Sequence, residues 1–89
     1  MQHQASTDFW KQYLGLPHEI RARADKQFAL LKENPQHPSL QFKKVGKRHG
    51  QEIWSARITL KHRALAIKRI DGYLWFWIGD HAAYDLLIS

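Results

Sequence analysis

Residues 53–67 read IWSARITLKHRALAI, and this stretch decides the fold. Runs rich in aliphatic and β-branched side chains at Ile53–Leu60 and Ala64–Ile70 flank the polar pair Lys61-His62, which predicts two strands joined by a tight turn. Arg57 and Arg63 then lie on adjoining strands. Guanidinium groups on a rigid sheet can bind phosphate and stabilise the negative charge that develops on it.

Further strand patterns extend this pair into a sheet. Leu40–Val45 and Tyr73–Ile78 are predicted strands, and Asp71-Gly72 before the latter is a two-residue hairpin signal. Gly46–Gly50 is predicted to be a basic, glycine-bounded loop. Residues 2–6 allow a short edge strand.

Helical patterns precede the sheet. The first helix is predicted over Phe9–Leu14, capped by Thr7 or Asp8. A second helix begins at Leu16-Pro17 and ends at Asn34-Pro35, where proline stops it. The apolar face of this second helix follows spacings of four, four and three residues, through Ile20, Ala24, Phe28 and Leu31.

A short terminal helix is predicted over Asp80–Ile88. The chain is therefore expected to form a single α+β domain over residues 1–89, with two N-terminal helices packed on a small antiparallel sheet. Two-residue turns at Lys61-His62 and Asp71-Gly72 would divide the strand residues between two faces. A one-residue slip would move Arg57 to the other face.

The predicted faces differ in chemistry. The face expected to take the helices is aliphatic and comprises Trp54, Ala56, Ile58, Leu60, Leu65, Ile67, Leu74, Phe76 and Ile78. The opposite face is basic, hydroxylated and aromatic, and it is the candidate site, formed by Ser55, Arg57, Thr59, Ala64, Ala66, Lys68, Trp75 and Trp77.

Composition narrows the classes of function. Lys plus Arg number 14 against 8 Asp plus Glu, a net charge of +6 that favours a polyanionic partner such as nucleic acid or an acidic protein. There is no cysteine, and the 6 histidines show no metal-binding spacing, so no metal and no cofactor are expected. No secretory signal and no apolar stretch of about 20 residues is present, so a cytoplasmic protein without membrane contact is expected.

Several polar residues are suited to chemistry on RNA. His81 and Tyr84 would share one side of the terminal helix and could transfer protons, although Tyr84 could instead pack that helix on the sheet. With no acidic pair for metal-dependent cleavage, a nuclease would use the 2′-hydroxyl of its substrate and leave a 2′,3′-cyclic phosphate. Candidate RNA contacts are Lys43, Lys47, Arg48, Lys61, His62 and Trp77.

The order of these motifs resembles the RelE/ParE superfamily of bacterial type II toxins over nearly the whole chain. The similar pieces include Leu16-Pro17, Asn34-Pro35, Pro38-Ser39-Leu40, residues 54–58, residues 62–65 and residues 77–85. The resemblance implies a microbial ribonuclease-like fold, cleavage of mRNA in the ribosomal A site without metal, and neutralisation by a cognate antitoxin. Its partners would then be that antitoxin, mRNA and the rRNA of the ribosome.

The resemblance also implies roles for individual residues. Arg57 and Arg63 match the Ser-x-Arg-Ile and His-Arg elements of the mRNA-cleaving members. Lys44 falls where those toxins place a Glu or Lys for proton transfer or charge stabilisation. His81 and Tyr84 correspond to a C-terminal His-Tyr pair, although two alanines separate them here and residues 85–89 follow.

Two alternatives share this fold. A ParE-like poison of DNA gyrase would have a protein target and no nuclease chemistry. A non-catalytic member would bind only its antitoxin. The set of Arg57, Arg63, Lys44 and His81 favours the nuclease, because a gyrase poison does not need it.

Overall fold

A five-stranded sheet organises residues 2–88, the part of the chain that the computed structural model describes. Its strands are β1 (Gln2–Ala5), β2 (Lys43–Arg48), β3 (Gln51–Thr59), β4 (His62–Arg69) and β5 (Gly72–Asp80). They lie in the order β1-β5-β4-β3-β2, so β1 and β2 form the outer edges. Strands β2 to β5 are antiparallel as predicted, but β1 precedes the helices and pairs in parallel with β5, which makes the sheet mixed.

The helices are α1 (Thr7–Leu14), α2 (His18–Glu33) and α3 (His81–Ile88). The cap of α1 is Ser6 rather than the predicted Thr7 or Asp8, because its hydroxyl oxygen accepts a hydrogen bond from the Phe9 amide at 3.1 Å. At the start of α3, Asp80 Oδ1 accepts from the Ala83 amide at 2.9 Å in the same manner.

The segment before the sheet differs from the prediction at both ends of β2. Pro38–Leu40 forms a 3₁₀ turn, and Gln41 follows in the left-handed region with φ 44°, so the strand expected from Leu40 begins only at Lys43. The predicted loop 46–50 is mostly strand. Its turn is His49-Gly50, whose φ values of 52° and 79° are both positive, as a tight hairpin turn of two residues requires.

The turn between β3 and β4 lies at residues 60–61, one position before the predicted Lys61-His62 turn. A bulge between Arg57 and Thr59 adds a further shift, so that Ala56 faces Ala64 and Trp54 faces Ala66. The face predicted for β3 is confirmed, but the faces predicted for β4 are exchanged. The two alanines of β4 pack under the helices, whereas Leu65 and Ile67 lie on the opposite face.

The turn between β4 and β5 lies at residues 70–71, and Gly72 is the first residue of β5. Glycine is required there because a Cβ atom would collide with the backbone of Gln2, where β1 runs alongside. A register shift opposite Leu65 and Ala66 then separates the two tryptophans of β5. Trp75 is buried under the helices, whereas Trp77 lies on the other face, so their predicted common face is wrong.

Two apolar clusters cover the two faces of the sheet. The larger cluster packs α1 and α2 on the sheet through Phe9, Ala24, Leu31, Leu40, Ala56, Ile58, Ala64, Ala66, Tyr73, Trp75 and Ile78. The smaller cluster lies beneath α3 and is formed by Ile53, Leu65 and Tyr84, with Val45, Ile67, Phe76 and Trp77 at its margin. Within residues 2–88, every helix is too short or too polar to cross a membrane.

Candidate functional site

Arg57 and Arg63 lie directly opposite each other on β3 and β4, on the face away from α1 and α2. Side chains of directly opposed residues point to the same side of a sheet, with Cβ atoms about 5 Å apart. Neither guanidinium forms an ion pair within residues 2–88. The site is therefore built on two adjacent positive charges that no carboxylate of the described chain neutralises by direct contact.

The Arg63 side chain is held by the turn that precedes it. Its Nη1 donates to the carbonyl oxygen of Thr59 at 2.8 Å and to that of His62 at 3.1 Å. Burial lowers the pKa of Arg63, and the nearby positive charge of Arg57 lowers it further, whereas Tyr84 and Asp85 act in the opposite direction. A rigid, partly desolvated guanidinium of this kind is well suited to bind an anion.

Tyr84 joins α3 to the sheet at the edge of this site. The side chain is 6% exposed, and its hydroxyl donates to the Ser55 Oγ at 3.3 Å, a bond buried on both sides. Its ring lies 6.5 Å from that of Trp77, centroid to centroid. These contacts favour the packing role that the sequence left open for Tyr84 over direct contact with a substrate.

His81 stands on the first turn of α3, and its position is tied to the β3–β4 turn. Its amide donates to the Lys61 carbonyl at 2.6 Å, and its Nδ1 lies 3.1 Å from Oδ2 of Asp85, four residues later. Within residues 2–88, no hydrogen bond engages its Nε2. His81 therefore keeps one ring nitrogen without a partner in the described part of the chain, beside the turn that also holds Arg63, and an imidazole in this state is able to transfer a proton.

Trp77 provides a flat aromatic surface beside Arg63. Gly79 faces Arg63 across β4 and β5, and a Cβ atom at Gly79 would lie 2.6 Å from the Cζ2 atom of Trp77. The indole therefore lies across the glycine, next to the arginine. A partly exposed indole next to a guanidinium can stack on a nucleobase.

The basic run on β2 is divided between the two faces by strand alternation. Lys43 faces Ser55 and therefore lies on the arginine side, whereas Lys44 faces Trp54 on the helix side. The Nζ of Lys44 is 3.8 Å from Oε2 of Glu52. The structure thus does not bring Lys44 to the arginines, and Lys43 occupies the position on their face.

The remaining basic candidates are dispersed. Lys47 faces Glu52 and lies on the helix side with Lys44. Arg48 lines a cavity of about 230 Å³ beneath the end of α3. Lys61 is exposed in the β3–β4 turn, whereas His62 is engaged by Thr59, with 3.0 Å between Oγ1 and Nδ1. In residues 2–88, no group of three or more His, Asp or Glu side chains is gathered as a metal site would need.

The fold of this chain is similar to that of several solved structures. A chain of the RelB-RelE antitoxin-toxin complex from Methanococcus jannaschii matches with a TM-score of 0.71 and 14% identity, over 97% of this chain and 99% of that chain. The archaeal RelE-RelB complex from Pyrococcus horikoshii OT3 matches with a TM-score of 0.68 and 12% identity, over 89% and 92%. The YoeB/ParE toxin from Agrobacterium tumefaciens matches with a TM-score of 0.67 and 17% identity, over 91% and 99%.

This chain has a RelE/ParE-like toxin fold. The likeness covers almost the whole of each compared chain and confirms the fold expected from the motif order. No protein-family model matches the sequence. No curated protein is detectably similar to it.

On this RelE/ParE-like fold, sequence patterns missed two residues of the site, Asp85 and Gln27, and one contact of a residue that they did place there, Ser55. Asp85 was visible only as the fourth residue after His81, which is the spacing of helical neighbours. Ser55 was placed on the correct face but was not predicted to bond Tyr84. Gln27 lies at a position of α2 that the apolar pattern skipped, yet it is 4% exposed and reaches the backbone of Arg57.

Proposed function

We propose that this chain is the toxin of a type II toxin–antitoxin pair and a metal-independent endoribonuclease that cleaves mRNA. The observation that carries the proposal is the opposed pair Arg57 and Arg63, two cations without an ion-pair partner in residues 2–88. His81 is bonded through its amide to the turn between their strands. The likeness to chains from RelB-RelE complexes supports an antitoxin as the protein partner. Two arginines paired in this way on such a fold are well placed to bind a phosphate of RNA.

The reaction needs only the substrate, these side chains and solvent water. The 2′-oxygen of the RNA attacks the adjacent phosphorus, the bond from phosphorus to the 5′-oxygen breaks, and a 2′,3′-cyclic phosphate and a 5′-hydroxyl result. Arg57 and Arg63 stabilise the extra negative charge of the pentacovalent intermediate. The 2′-hydroxyl must lose a proton and the leaving 5′-oxygen must gain one; His81 Nε2 carries out one of these two transfers, and a solvent water carries out the other.

Other residues of the face serve binding and positioning in this proposal. Trp77 stacks on a base next to the scissile phosphate, and Lys43 contacts the backbone in place of Lys44. Tyr84 holds α3, and with it His81, against the sheet through Ser55. The substrate is mRNA in the ribosomal A site, where the rRNA and the message supply the polyanionic surroundings that a basic protein favours.

Induced expression followed by mapping of mRNA 5′ ends tests this function. We expect codon-phased cuts on translated messages, and purified protein should leave 2′,3′-cyclic phosphate ends. Arg57→Ala should lower the cleavage rate by about 10²-fold or more, as is typical when a group that stabilises transition-state charge is lost. Arg69→Ala, an exposed arginine at the far end of β4, is the matched control and should cleave normally.

The same experiment separates the alternatives. DNA damage with intact mRNA would identify a ParE-like gyrase poison. Absence of any growth defect, with antitoxin binding retained, would identify a non-catalytic member. Full killing by Arg57→Ala would contradict the proposed role of the arginine pair.

A further inference from the structure

Gln27 is a buried polar residue inside the main core. Its side chain is 4% exposed and belongs to the face of α2 that also buries Ala24 and Leu31. A primary amide in such surroundings is costly unless its hydrogen bonds are made. The Nε2 of Gln27 makes two, to the carbonyl oxygens of Arg57 at 2.9 Å and Ser39 at 3.3 Å.

The first of these bonds reaches the backbone at the one point where β3 departs from regular pairing with β4. Arg57 still faces Arg63, but Ile58 is an extra residue, and pairing resumes at Thr59 with His62. Bulges disturb the local ladder and alter the direction of neighbouring side chains. Gln27 therefore bonds to the carbonyl that joins the candidate catalytic arginine to the bulged residue.

Loss of this bulge would change the site as a whole. Without the extra residue, the register between β3 and β4 would slip by one position, and a slip of one residue exchanges the faces of a strand. Arg57 and Arg63 would then no longer face each other on the same side. The bulge is thus the backbone feature that brings the two guanidinium groups together.

We propose that Gln27 is a positioning residue that acts through the β3 backbone to hold Arg57 opposite Arg63; its catalytic consequence rests on the proposed ribonuclease function. A methionine has a similar volume and no polar atom to satisfy, so filling the core does not by itself require an amide. The amide links α2, the Pro38–Leu40 turn and β3 at a single point. The second bond, to Ser39, orients the amide group toward β3.

The test compares Gln27→Met with Leu31→Met, which lies one helical turn later on the same buried face and has no bond to β3. We expect Gln27→Met to lower kcat by about 10²-fold with KM changed less than about threefold, because a displacement of about 1 Å in a site can have that effect. Leu31→Met should retain near-normal kcat. In an Arg57→Ala background, Gln27→Met should cause no further loss of kcat.

A spectroscopic measurement keeps the inference testable whether or not RNA is cleaved. In the wild-type protein, the Gln27 side-chain amide protons should exchange slowly with solvent. In Gln27→Met, but not in Leu31→Met, the Ile58 and Thr59 amides should exchange faster and the Arg57 Nε–Hε resonance should shift. If wild type cleaves no RNA but these signals change as expected, the positioning inference holds and the proposed function fails.

The opposite results would overturn the inference. Equal kcat for the two methionine variants, or unchanged exchange at Ile58 and Thr59 in Gln27→Met, would show that the amide does not hold the bulge. Rapid exchange of the Gln27 amide protons in the wild-type protein would also show that the amide does not hold the bulge. This measurement needs no variant, so it remains possible if Gln27→Met does not fold.

Discussion

Repulsion between Arg57 and Arg63 lowers the stability of the folded protein. Like charges directly opposite each other on neighbouring strands repel, and Arg63 is half-buried, so that less water surrounds its charge and its pKa is lowered. A bound phosphate would relieve this repulsion. We therefore expect the free energy of unfolding to be higher with a bound phosphate than without one.

Replacement of one arginine by a neutral residue of similar shape should measure this repulsion. We expect Arg57→Gln to raise the free energy of unfolding by about 0.5 kcal/mol at low ionic strength. The gain should shrink at high salt because counterions screen the pair. Urea unfolding at two salt concentrations checks this, with Arg69→Gln as the control, and a less stable Arg57→Gln protein at low salt would contradict it.

At the scale of elements, a histidine side chain adds to the backbone pairing that joins β1 to β5. Trp75 Nε1 donates to Nδ1 of His3 at 3.0 Å, and the imidazole stacks on Tyr73 with 5.6 Å between ring centroids. Nδ1 can accept this bond only while it carries no proton. Burial lowers the pKa of His3 below its ordinary value of 6.5, and the positive charge of Lys32 adds to the effect.

This contact predicts a dependence of stability on pH. Below about pH 6.5 the unfolded chain takes up a proton at His3 more readily than the folded chain does, so the free energy of unfolding falls as the pH drops through that range. His3→Asn keeps an acceptor for Trp75 but cannot be protonated. We expect denaturant unfolding between about pH 5 and 7.5 to show a weaker pH dependence in this variant, and an identical dependence would contradict the assignment.

The elements were more predictable from the sequence than their register. Apolar runs, prolines and glycines located the helices and the four antiparallel strands, because those signals are local. The turns were displaced by one residue, and the bulge at Ile58 had no local signal, because it depends on Gln27, which is distant in sequence. For that reason the face of Arg57 was predicted correctly but the residues that accompany it on β4 were not.

For the candidate site too, residue type was visible in the sequence, whereas strand pairing was not. Residue type and motif order indicated Arg57, Arg63 and His81. The fold places the two arginines opposite each other and His81 beside the turn that joins their strands, and their catalytic roles stay predictions. Lys44 was indicated by the family resemblance alone, and its role stays a prediction. The structure places it on the helix side, because pairing with β3 puts Lys43, not Lys44, on the face of Ser55. Gln27 has a signal in retrospect, since residues 20, 24, 27 and 31 form an apolar stripe interrupted by a single amide.

At the scale of the whole molecule, the two sides of the sheet differ in apolar packing and in charge. The helix side contains the larger core, and the other side carries the arginine pair. The whole chain has a net charge of +6. Binding to RNA should therefore weaken as salt rises, because each phosphate contact releases counterions. Only cations on the arginine side should contribute strongly to that dependence.

Lys43 and Lys44 offer a matched pair for this prediction, being adjacent, chemically identical and on opposite faces. For single-stranded RNA, we expect Lys43→Gln to reduce the slope of log K against log salt by about 0.7, the contribution of one phosphate contact. Lys44→Gln should leave the slope nearly unchanged. Fluorescence anisotropy over a salt series measures both slopes. A larger reduction for Lys44→Gln than for Lys43→Gln would show that Lys44, not Lys43, contacts the RNA.

The position of β2 at the edge of the sheet has a separate consequence for how the protein behaves at high concentration. An unpaired strand edge is a template on which another copy of a chain can add, and charged side chains oppose that addition. β2 carries four cations in six residues, Lys43, Lys44, Lys47 and Arg48. Neutralising several of them together should therefore promote aggregation. In any test of the proposed function, the solubility of such a variant must be measured before a lost effect is attributed to weaker RNA binding.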